Sequence, residues 1–151
     1  MPIIKDQKIA ENTWTFVADD SPLTAGDISV SLKRWGEEKA LLLKRNGKVG
    51  IRLTPGDSTE TLEQDDLAAI SLVELDFPAF TDGRLFSQAQ LLRSRDGYKG
   101  EIRAVGNFLA DQVFYLSRVG VDSFELSESK YLEVALSALN DFSVRYQASI
   151  N

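Results

Sequence analysis

The sequence predicts an α/β fold made of repeating strand–helix units around a mainly parallel sheet. Short apolar runs alternate along the chain with stretches in which apolar residues recur every three or four positions, and this alternation is typical of βα units. With 151 residues, 43% of them hydrophobic and 26% charged, the chain has the size and composition of one globular domain. We therefore expect a single domain over 1–151, with an N-terminal strand and linker over 1–27 and βα units over 28–151.

The individual elements follow from the same patterns and from their end signals. The predicted strands are short apolar or alternating runs at 13–19, 49–53, 71–77, 101–106 and 122–126. The predicted helices show apolar residues at a spacing of three and four. Four of them lie from Ile28 to about residue 45, at 87–95, at 107–120 and at 127–142, and a further short helix is expected to begin after Ser58 or Thr59 as its N-cap. The expected end signals are Asn46-Gly47 and Gly120 after helices, and Ser87 and Asn107 as N-caps.

Two architectures fit these elements. Five short strands are compatible with an open doubly wound sheet and with a part of a barrel. In both architectures ligands bind at the carboxyl ends of the strands. Polar residues that follow a predicted strand are therefore the first candidates for a functional site.

Charge and hydropathy exclude several classes of function. The net charge of −6 argues against a nucleic-acid or anionic-membrane surface, because both require a basic face. No apolar run approaches the roughly 20 residues that span a bilayer. The start of the chain turns polar too soon for a secretory signal, so we expect a cytoplasmic protein.

The sequence contains no cysteine and no histidine. Thiol nucleophiles, thiolate-held iron–sulfur clusters, haem ligation by these residues, Ser-His-Asp catalysis and the usual zinc sites are thereby removed. No G-x-G-x-x-G follows a predicted strand, which argues against a dinucleotide site. We therefore expect no metal and no cofactor, and any chemistry must use Asp, Glu, Lys, Arg, Tyr, Ser or Thr.

A polar stretch, Thr81-Asp82-Gly83-Arg84, directly follows the predicted strand 71–77. As an anion site, the backbone N–H groups at the following helix start and the guanidinium fork of Arg84 would bind phosphate, sulfate or carboxylate. In an enzyme, Asp82 would be the candidate acid or base. As a simple turn, Gly83 would take a positive φ, Asp82 would form an Asx turn and Arg84 would face solvent. The residues alone do not decide between a functional site and a simple turn.

Arg103 lies inside the predicted strand 101–106, at a position that alternates off the core face. If both faces of the sheet are covered, its charge needs a carboxylate partner, because a buried charge does not stay unpaired. Asp82 or Asp111 could supply that carboxylate. We therefore include Arg103 among the candidate ligand-binding residues.

The predicted helix 107–120 supplies a further candidate surface. Gln112 lies between its apolar stripe and its charged face, where the side chain could reach a ligand or a partner. Phe108, Gln112 and Tyr115 together make the helix amphipathic enough to join a second copy. Association into a homodimer is therefore one hypothesis for this chain.

Three stretches together resemble a known family. They are LDFPAFTDGRLFSQAQLLR, GYKGEIRAVGNFLADQVFYLSRVGVDSFEL and ALNDFSVRYQ. In this order they are similar to a family of uncharacterised bacterial proteins of about this length that are described as oxidoreductases involved in sulfite reduction. The likeness covers 49–147 and is densest over 76–126. The residues that match the strongest motifs of the family are Phe80, Thr81, Asp82, Gly83, Arg84, Arg93, Arg103, Gly106, Asp111, Gln112, Tyr115 and Gly120.

The resemblance implies a role in cytoplasmic sulfur assimilation, because members of that family are encoded beside assimilatory sulfite reductase. Sulfite reductase or another sulfur-assimilation protein is then the implied partner. At Val119, many members have a cysteine instead, so a thiol-based redox role is not expected of this chain. We expect an accessory protein of assimilatory sulfate or sulfite reduction with an anion-binding loop at 81–84. The alternative is a small α/β enzyme that acts on a phosphate, sulfate or carboxylate substrate.

Overall fold

The computed structural model describes residues 2–78, 83–108, 112–126, 131–137 and 139, and these contain an eight-stranded sheet that curls into a half-barrel. The strands are β1 (Pro2–Lys5), β2 (Lys8–Glu11), β3 (Trp14–Phe16), β4 (Asp27–Ser31), β5 (Val49–Leu53), β6 (Leu72–Phe77), β7 (Glu101–Gly106) and β8 (Ser123–Leu126). The helices are α1 (Leu32–Lys44), α2 (Gln64–Ala69), α3 (Arg84–Ser94) and α4 (Val113–Arg118), with a 3-10 turn at Thr59–Thr61 and a further helical segment over 132–137.

The sheet order is β2-β1-β8-β7-β6-β5-β4-β3, so strands β3 to β8 are neighbours in chain order, and each pair of them is parallel. The β1–β2 hairpin completes the sheet with antiparallel pairs, and β1 pairs with β8. The prediction of an α/β fold with a mainly parallel sheet is confirmed. A doubly wound sheet reverses its strand order at a switch point. The consecutive order β3 to β8 instead continues in one direction, as in a part of a barrel.

The N-terminal hairpin has no counterpart among the predicted strands. Its turn is two residues long, and both Asp6 and Gln7 have positive φ, at 51° and 65°. This conformation is that of the type I′ turn, whose usual sequence signal is Asn-Gly or Asp-Gly. Because β2 is an exposed edge strand, its polar composition conceals the hairpin in the sequence.

Residues 8–16, which we call the closing segment, bring the two edges of the sheet together. β2 and β3 lie at opposite edges, yet only Asn12 and Thr13 separate them along the chain. Three peptide steps span at most about 10–11 Å, so the edges come this close at the link. β2 and β8 are both antiparallel to β1, so β2 runs in the direction of β3. The closing segment is therefore one interrupted strand that pairs first with β1 and then with β4.

The outer face of the sheet carries the hydrophobic core. Because side chains alternate across a strand, one set of residues from β4 to β8 lies under the helices. These residues are Ile28, Val30, Val49, Ile51, Leu53, Val73, Leu75, Phe77, Ile102, Ala104, Phe124 and Leu126. The helices contribute Trp35, Leu42, Leu85, Ala89, Leu92, Val113 and Leu116 to the same cluster. Consecutive parallel strands with crossovers of one hand place the helices on this single face.

The inner face of the sheet carries a row of polar side chains, beside which Leu72 and Val105 are also buried. In the register of the strands, neighbouring positions across the inner face are Arg52, Glu74, Arg103, Ser123 and Lys5. Arg103 is only 1% exposed, and Glu74 is also buried. Ionised groups are buried in proteins only with partners. The curled sheet therefore encloses a row of opposite charges, which positions the groups of the candidate site.

The start of the first helix differs from the prediction. Residues 27–31 form β4, and α1 begins only at Leu32, with Ser31 as its N-cap. The Ser31 hydroxyl accepts the backbone N–H of the third helical residue at 3.1 Å. Ile28 and Val30 are β-branched and favour a strand over a helix. They alternate with Ser29 and Ser31, whose small side chains fit on the other covered face of the strand.

The C-terminal end of α4 agrees with the prediction, whereas α1 ends near the predicted place without a left-handed cap. The C-cap of α1 is Arg45 in an extended conformation, and Gly47, with φ +104°, lies two residues further on. Gly120 has φ +105° after α4. At Gly120 the chain forms a Schellman motif, in which the N–H groups of Gly120 and Val121 donate to the carbonyls of Ser117 and Leu116. The last predicted helix, 127–142, is helical over its described part at 132–137.

Two predicted N-caps are wrong. α3 begins at Arg84, three residues before the predicted cap Ser87, and the residue that precedes it is Gly83. α4 begins at Val113, so Asn107 does not cap it. Short polar side chains form hydrogen bonds to backbone groups in turns as well as at helix N-termini. A serine or asparagine near a helix is therefore not always its N-cap, which explains both errors.

Candidate functional site

Two of the four predicted loop residues are described, and they start α3. Gly83 precedes the helix and Arg84 is its first residue, shortly after the carboxyl end of β6. Thr81 and Asp82 lie outside the described residues. Gly83 has φ −79° and ψ −10°, so a turn that depends on positive φ at this position is wrong. Because the cap is a glycine, no cap side chain accepts the first N–H groups of α3.

The carboxyl ends of β6 and β7 are tied together beside this loop. The backbone N–H of Asn107 donates to the Phe77 carbonyl at 2.7 Å, and its side-chain Nδ2 donates to the Pro78 carbonyl at 3.1 Å. These bonds fix the point at which the chain leaves the sheet after β6. In parallel α/β folds this edge of the sheet is where ligands bind.

Asp76 is a candidate acid or base that the sequence predictions omit. It lies half-buried on the inner face, one residue before the end of β6. Its Oδ1 lies beside Gly106, where a Cβ atom would stand 2.9 Å from it, so the glycine leaves room for the carboxylate. The signal in the sequence is the alternation of Asp76 with Leu75 and Phe77, which places it off the core face.

The guanidinium of Arg103 is enclosed by protein groups. Its Nε donates to Ser123 Oγ at 3.0 Å, its Nη1 to Asn12 Oδ1 at 2.8 Å and its Nη2 to Glu101 Oε2 at 2.7 Å. The prediction that a covered Arg103 has a carboxylate partner is confirmed, and the partner is Glu101. The two aspartates considered for this role lie outside the described residues. A ligand contact by Arg103 stays a prediction.

Glu101 extends this cluster to the edge of the sheet. Its Oε2 also accepts from Ser123 Oγ at 2.6 Å, and its Oε1 pairs with Lys5 Nζ at 3.0 Å. Burial by itself would raise the pKa of Glu101. The hydrogen bond from Ser123 and the charge and hydrogen bond of Arg103 together outweigh burial, so the pKa of Glu101 lies below its ordinary value.

A second inner cluster surrounds Arg52. Glu74 accepts from Arg52 Nε at 3.1 Å through Oε1 and from Arg52 Nη2 at 3.3 Å through Oε2. The same Oε1 accepts a hydrogen bond from the Ser29 hydroxyl. The guanidinium carbon of Arg52 lies 4.1 Å from the ring centre of Phe16. In contrast to Arg103, Arg52 reaches solvent, since 22% of its side chain is exposed.

Gln112, the residue before α4, lines an open groove on the outer layer. The groove has a volume of about 610 Å³, and its other lining residues are Phe86, Phe114, Tyr115, Arg118 and Val119. Phe108 does not share this surface, because it is buried and its ring contacts those of Phe77 and Phe124. The predicted association face is therefore wrong at Phe108, whereas Tyr115 is exposed.

Two kinds of feature are missing from the described ranges. No helix there is long and apolar enough to cross a bilayer. Nor do three or more Asp, Glu, His or Cys residues in those ranges come together as a metal site requires.

The fold and the site together define an α/β half-barrel protein with a polar inner face. The chain belongs to a family of bacterial proteins of unknown function (DUF934), whose model matches residues 50–151. The matched region begins within β5 and includes the loop at 81–84 and strands β6 to β8. Comparison with curated proteins and with solved structures gives no match.

Glu101 is expected to make the stability of the protein depend on pH in the acid range. Because its folded-state pKa is lowered, Glu101 contributes stability that is complete above about pH 5 and is lost as the pH falls through that lowered pKa. Glu101→Gln should flatten this part of the profile. At pH 7 it should also reduce the free energy of unfolding by about 3 kcal/mol, because Arg103 then stays buried without its counter-charge.

Urea unfolding at a series of pH values measures both effects. Glu37→Gln is the matched control, since Glu37 is exposed on α1 and its replacement should change stability by less than about 0.5 kcal/mol. A Glu101→Gln protein with the wild-type pH profile would contradict the assignment.

Proposed function

We propose that this protein is an accessory component of cytoplasmic assimilatory sulfate and sulfite reduction, and that its loop at 81–84 binds an oxyanion. The pathway rests on the resemblance of three stretches of the chain to proteins described as oxidoreductases of sulfite reduction. The oxyanion site rests on the position of Gly83 and Arg84 at the start of α3. Sulfite reductase or another protein of the same pathway is the proposed partner.

The start of α3 is the observation that carries the oxyanion site. This helix has eleven residues and begins with a glycine cap after the carboxyl end of β6. The partial positive charge at its N-terminus favours an anion that approaches from the loop. Arg84 adds a guanidinium in the first turn. Among the described residues other than Gly83 and its chain neighbours, no heavy atom lies within 4 Å of the place where a Cβ on Gly83 would stand.

The remaining loop residues have proposed roles of their own. Thr81 would donate its hydroxyl to the anion. Asp82 would not contact the anion, because like charges repel, and would instead orient Arg84 or Arg103. Sulfite, sulfate or a phosphosulfate are the natural ligands in the proposed pathway, and phosphate has a similar geometry.

Residue usage supports an accessory role over electron transfer by this chain. Sulfite reduction moves electrons through haem and iron–sulfur centres, which are held mainly by cysteine and histidine. The sequence has neither residue. The oxidoreductase description of the resembling family would then refer to the machinery that this protein assists.

A small enzyme that acts on an anionic substrate is the second candidate, and Asp76 favours it. A half-buried carboxylate at the carboxyl end of a parallel strand stands where catalytic residues stand in barrel folds. Asp76 or Asp82 would serve as the acid or base. Turnover of phosphate or sulfate esters by the wild type but not by Asp76→Asn would support this reading, and no turnover of either class would remove it.

Arg84→Ala should weaken anion binding about ten- to a hundred-fold, because a hydrogen bond to a charged group contributes about 1.5–3 kcal/mol. Calorimetric titration with sulfite, sulfate and phosphate measures the effect. Arg95→Ala is the matched control, since Arg95 lies at the opposite end of α3 and is paired with Asp96. If the wild type binds none of these anions at millimolar concentration, the proposed anion site is refuted and the loop at 81–84 is a structural turn.

A deletion strain tests the pathway. It should grow with cysteine as sulfur source and grow poorly on sulfate, and a pull-down with the tagged protein should recover sulfite reductase or a neighbouring enzyme. Complementation with the Arg84→Ala variant separates the pathway role from the anion site. Normal growth on sulfate, in a host without a second copy, would refute the proposal.

A further inference from the structure

The guanidinium of Arg52 has one donor edge that the protein does not occupy. A guanidinium carries five N–H groups. Glu74 accepts from Nε and from one N–H of Nη2, which form one edge of the group. The other edge consists of Nη1 and the second N–H of Nη2, and within the described part of the chain no acceptor lies against it.

This free edge is held in a fixed orientation. The carboxylate of Glu74 is buried and is itself fixed by the hydroxyl of Ser29. The ring of Phe16, 4.1 Å from the guanidinium carbon, packs against Arg52. A cation that is oriented before a ligand arrives loses little conformational entropy on binding, and this increases affinity.

Arg52 and Phe16 both reach solvent. The side chain of Arg52 is 22% exposed, and Phe16 is 37% exposed. Arg52 is the residue before the last of β5, so the pair lies toward the carboxyl end of the parallel strands, where ligands bind in such sheets. Arg103 on the same inner row shows the contrast, because protein groups accept from all three of its nitrogens.

We infer that Arg52 and Phe16 form a binding site for a small carboxylate with a flat apolar body. The two oxygens of a carboxylate match the two parallel N–H groups of the free edge. The apolar body of the ligand lies against the exposed part of the Phe16 ring and excludes water from it. The site uses no residue of the loop at 81–84 and does not depend on the function proposed above.

The affinity is expected to be in the millimolar range. Glu74 already neutralises the charge of Arg52, so the ligand gains hydrogen bonds and apolar contact but little net electrostatic attraction. An apolar carboxylate is therefore preferred over inorganic anions, which gain nothing from Phe16. This preference distinguishes the site from an oxyanion site at the start of α3.

Titration of the labelled protein by two-dimensional ¹H–¹⁵N NMR at constant ionic strength tests the inference. Benzoate should shift the Arg52 Nε–H resonance with a millimolar dissociation constant, acetate should bind more weakly, and sulfate should leave the resonance in place. Arg52→Lys should weaken benzoate binding about ten-fold, because lysine keeps the charge but lacks the fork. Phe16→Leu should weaken benzoate binding more than acetate binding, because acetate has no ring to lie against Phe16 but still depends on the orientation of Arg52.

Arg95 provides a matched control. Asp96 accepts from its Nε and Nη2 in the same side-on arrangement, but Arg95 is exposed and no aromatic ring in the described part of the chain packs against it. Its Nη2 donates in addition to Thr59 Oγ1 at 3.4 Å, so its second edge is partly occupied. Its resonance should not move, and Arg95→Lys should bind benzoate as the wild type does.

Three results would overturn the inference. They are an Arg52 resonance that stays in place at saturating benzoate, equal shifts at Arg52 and Arg95, and tighter binding of sulfate than of benzoate at Arg52. The first of these is read on the wild type, so it decides the question even where a variant fails to fold.

Discussion

The curled sheet depends on one buried guanidinium, that of Arg103. It joins three segments of the chain, because its nitrogens donate to Ser123 on β8, to Glu101 on its own strand β7 and to Asn12 in the closing segment. Asn12 Oδ1 accepts in addition from the backbone N–H of Trp14, which fixes the break between β2 and β3. A buried charge that loses a partner costs several kcal/mol. Arg103 therefore holds the closing segment across the inner face. Because the closing segment is short, the two edges of the sheet that it joins must lie close together, and the sheet curls.

The polar inner face also specifies the register of the strands. The interior of a complete barrel is usually filled by branched apolar side chains, which tolerate many arrangements. Here Glu74 and Glu101 each accept hydrogen bonds from two other residues of the inner face. A slip of one residue in any central strand would turn its charged residue toward the apolar core. The ionic row thus selects a single pairing that the hydrophobic outer face alone would specify less strictly.

The sequence predicts some parts of this structure and conceals others for definable reasons. Strands β5 to β8 are readable because each is a short apolar run between turns, and Arg103 is readable as a residue off the core face. The hairpin at Asp6-Gln7 is concealed because an exposed edge strand has no apolar run and its turn lacks a glycine. The strand at Ile28–Val30 is mistaken for helix because a real helix begins directly after it. The partner Asn12 cannot be inferred, since it lies 91 positions from Arg103 along the chain.

The arginines of this protein differ in how many donor edges the fold itself occupies, and this difference bears on function. Every guanidinium nitrogen of Arg93 and of Arg103 donates to another group of the protein. In Arg93 the acceptors are the carbonyls of Gly120, Tyr98 and Gly100 and the carboxylate of Asp122. Both residues are thus accounted for by the architecture. Arg52 is the reverse case, because Glu74 occupies only one edge of its guanidinium and the side chain is partly exposed. Donors that the fold itself leaves unoccupied therefore indicate where a ligand can bind.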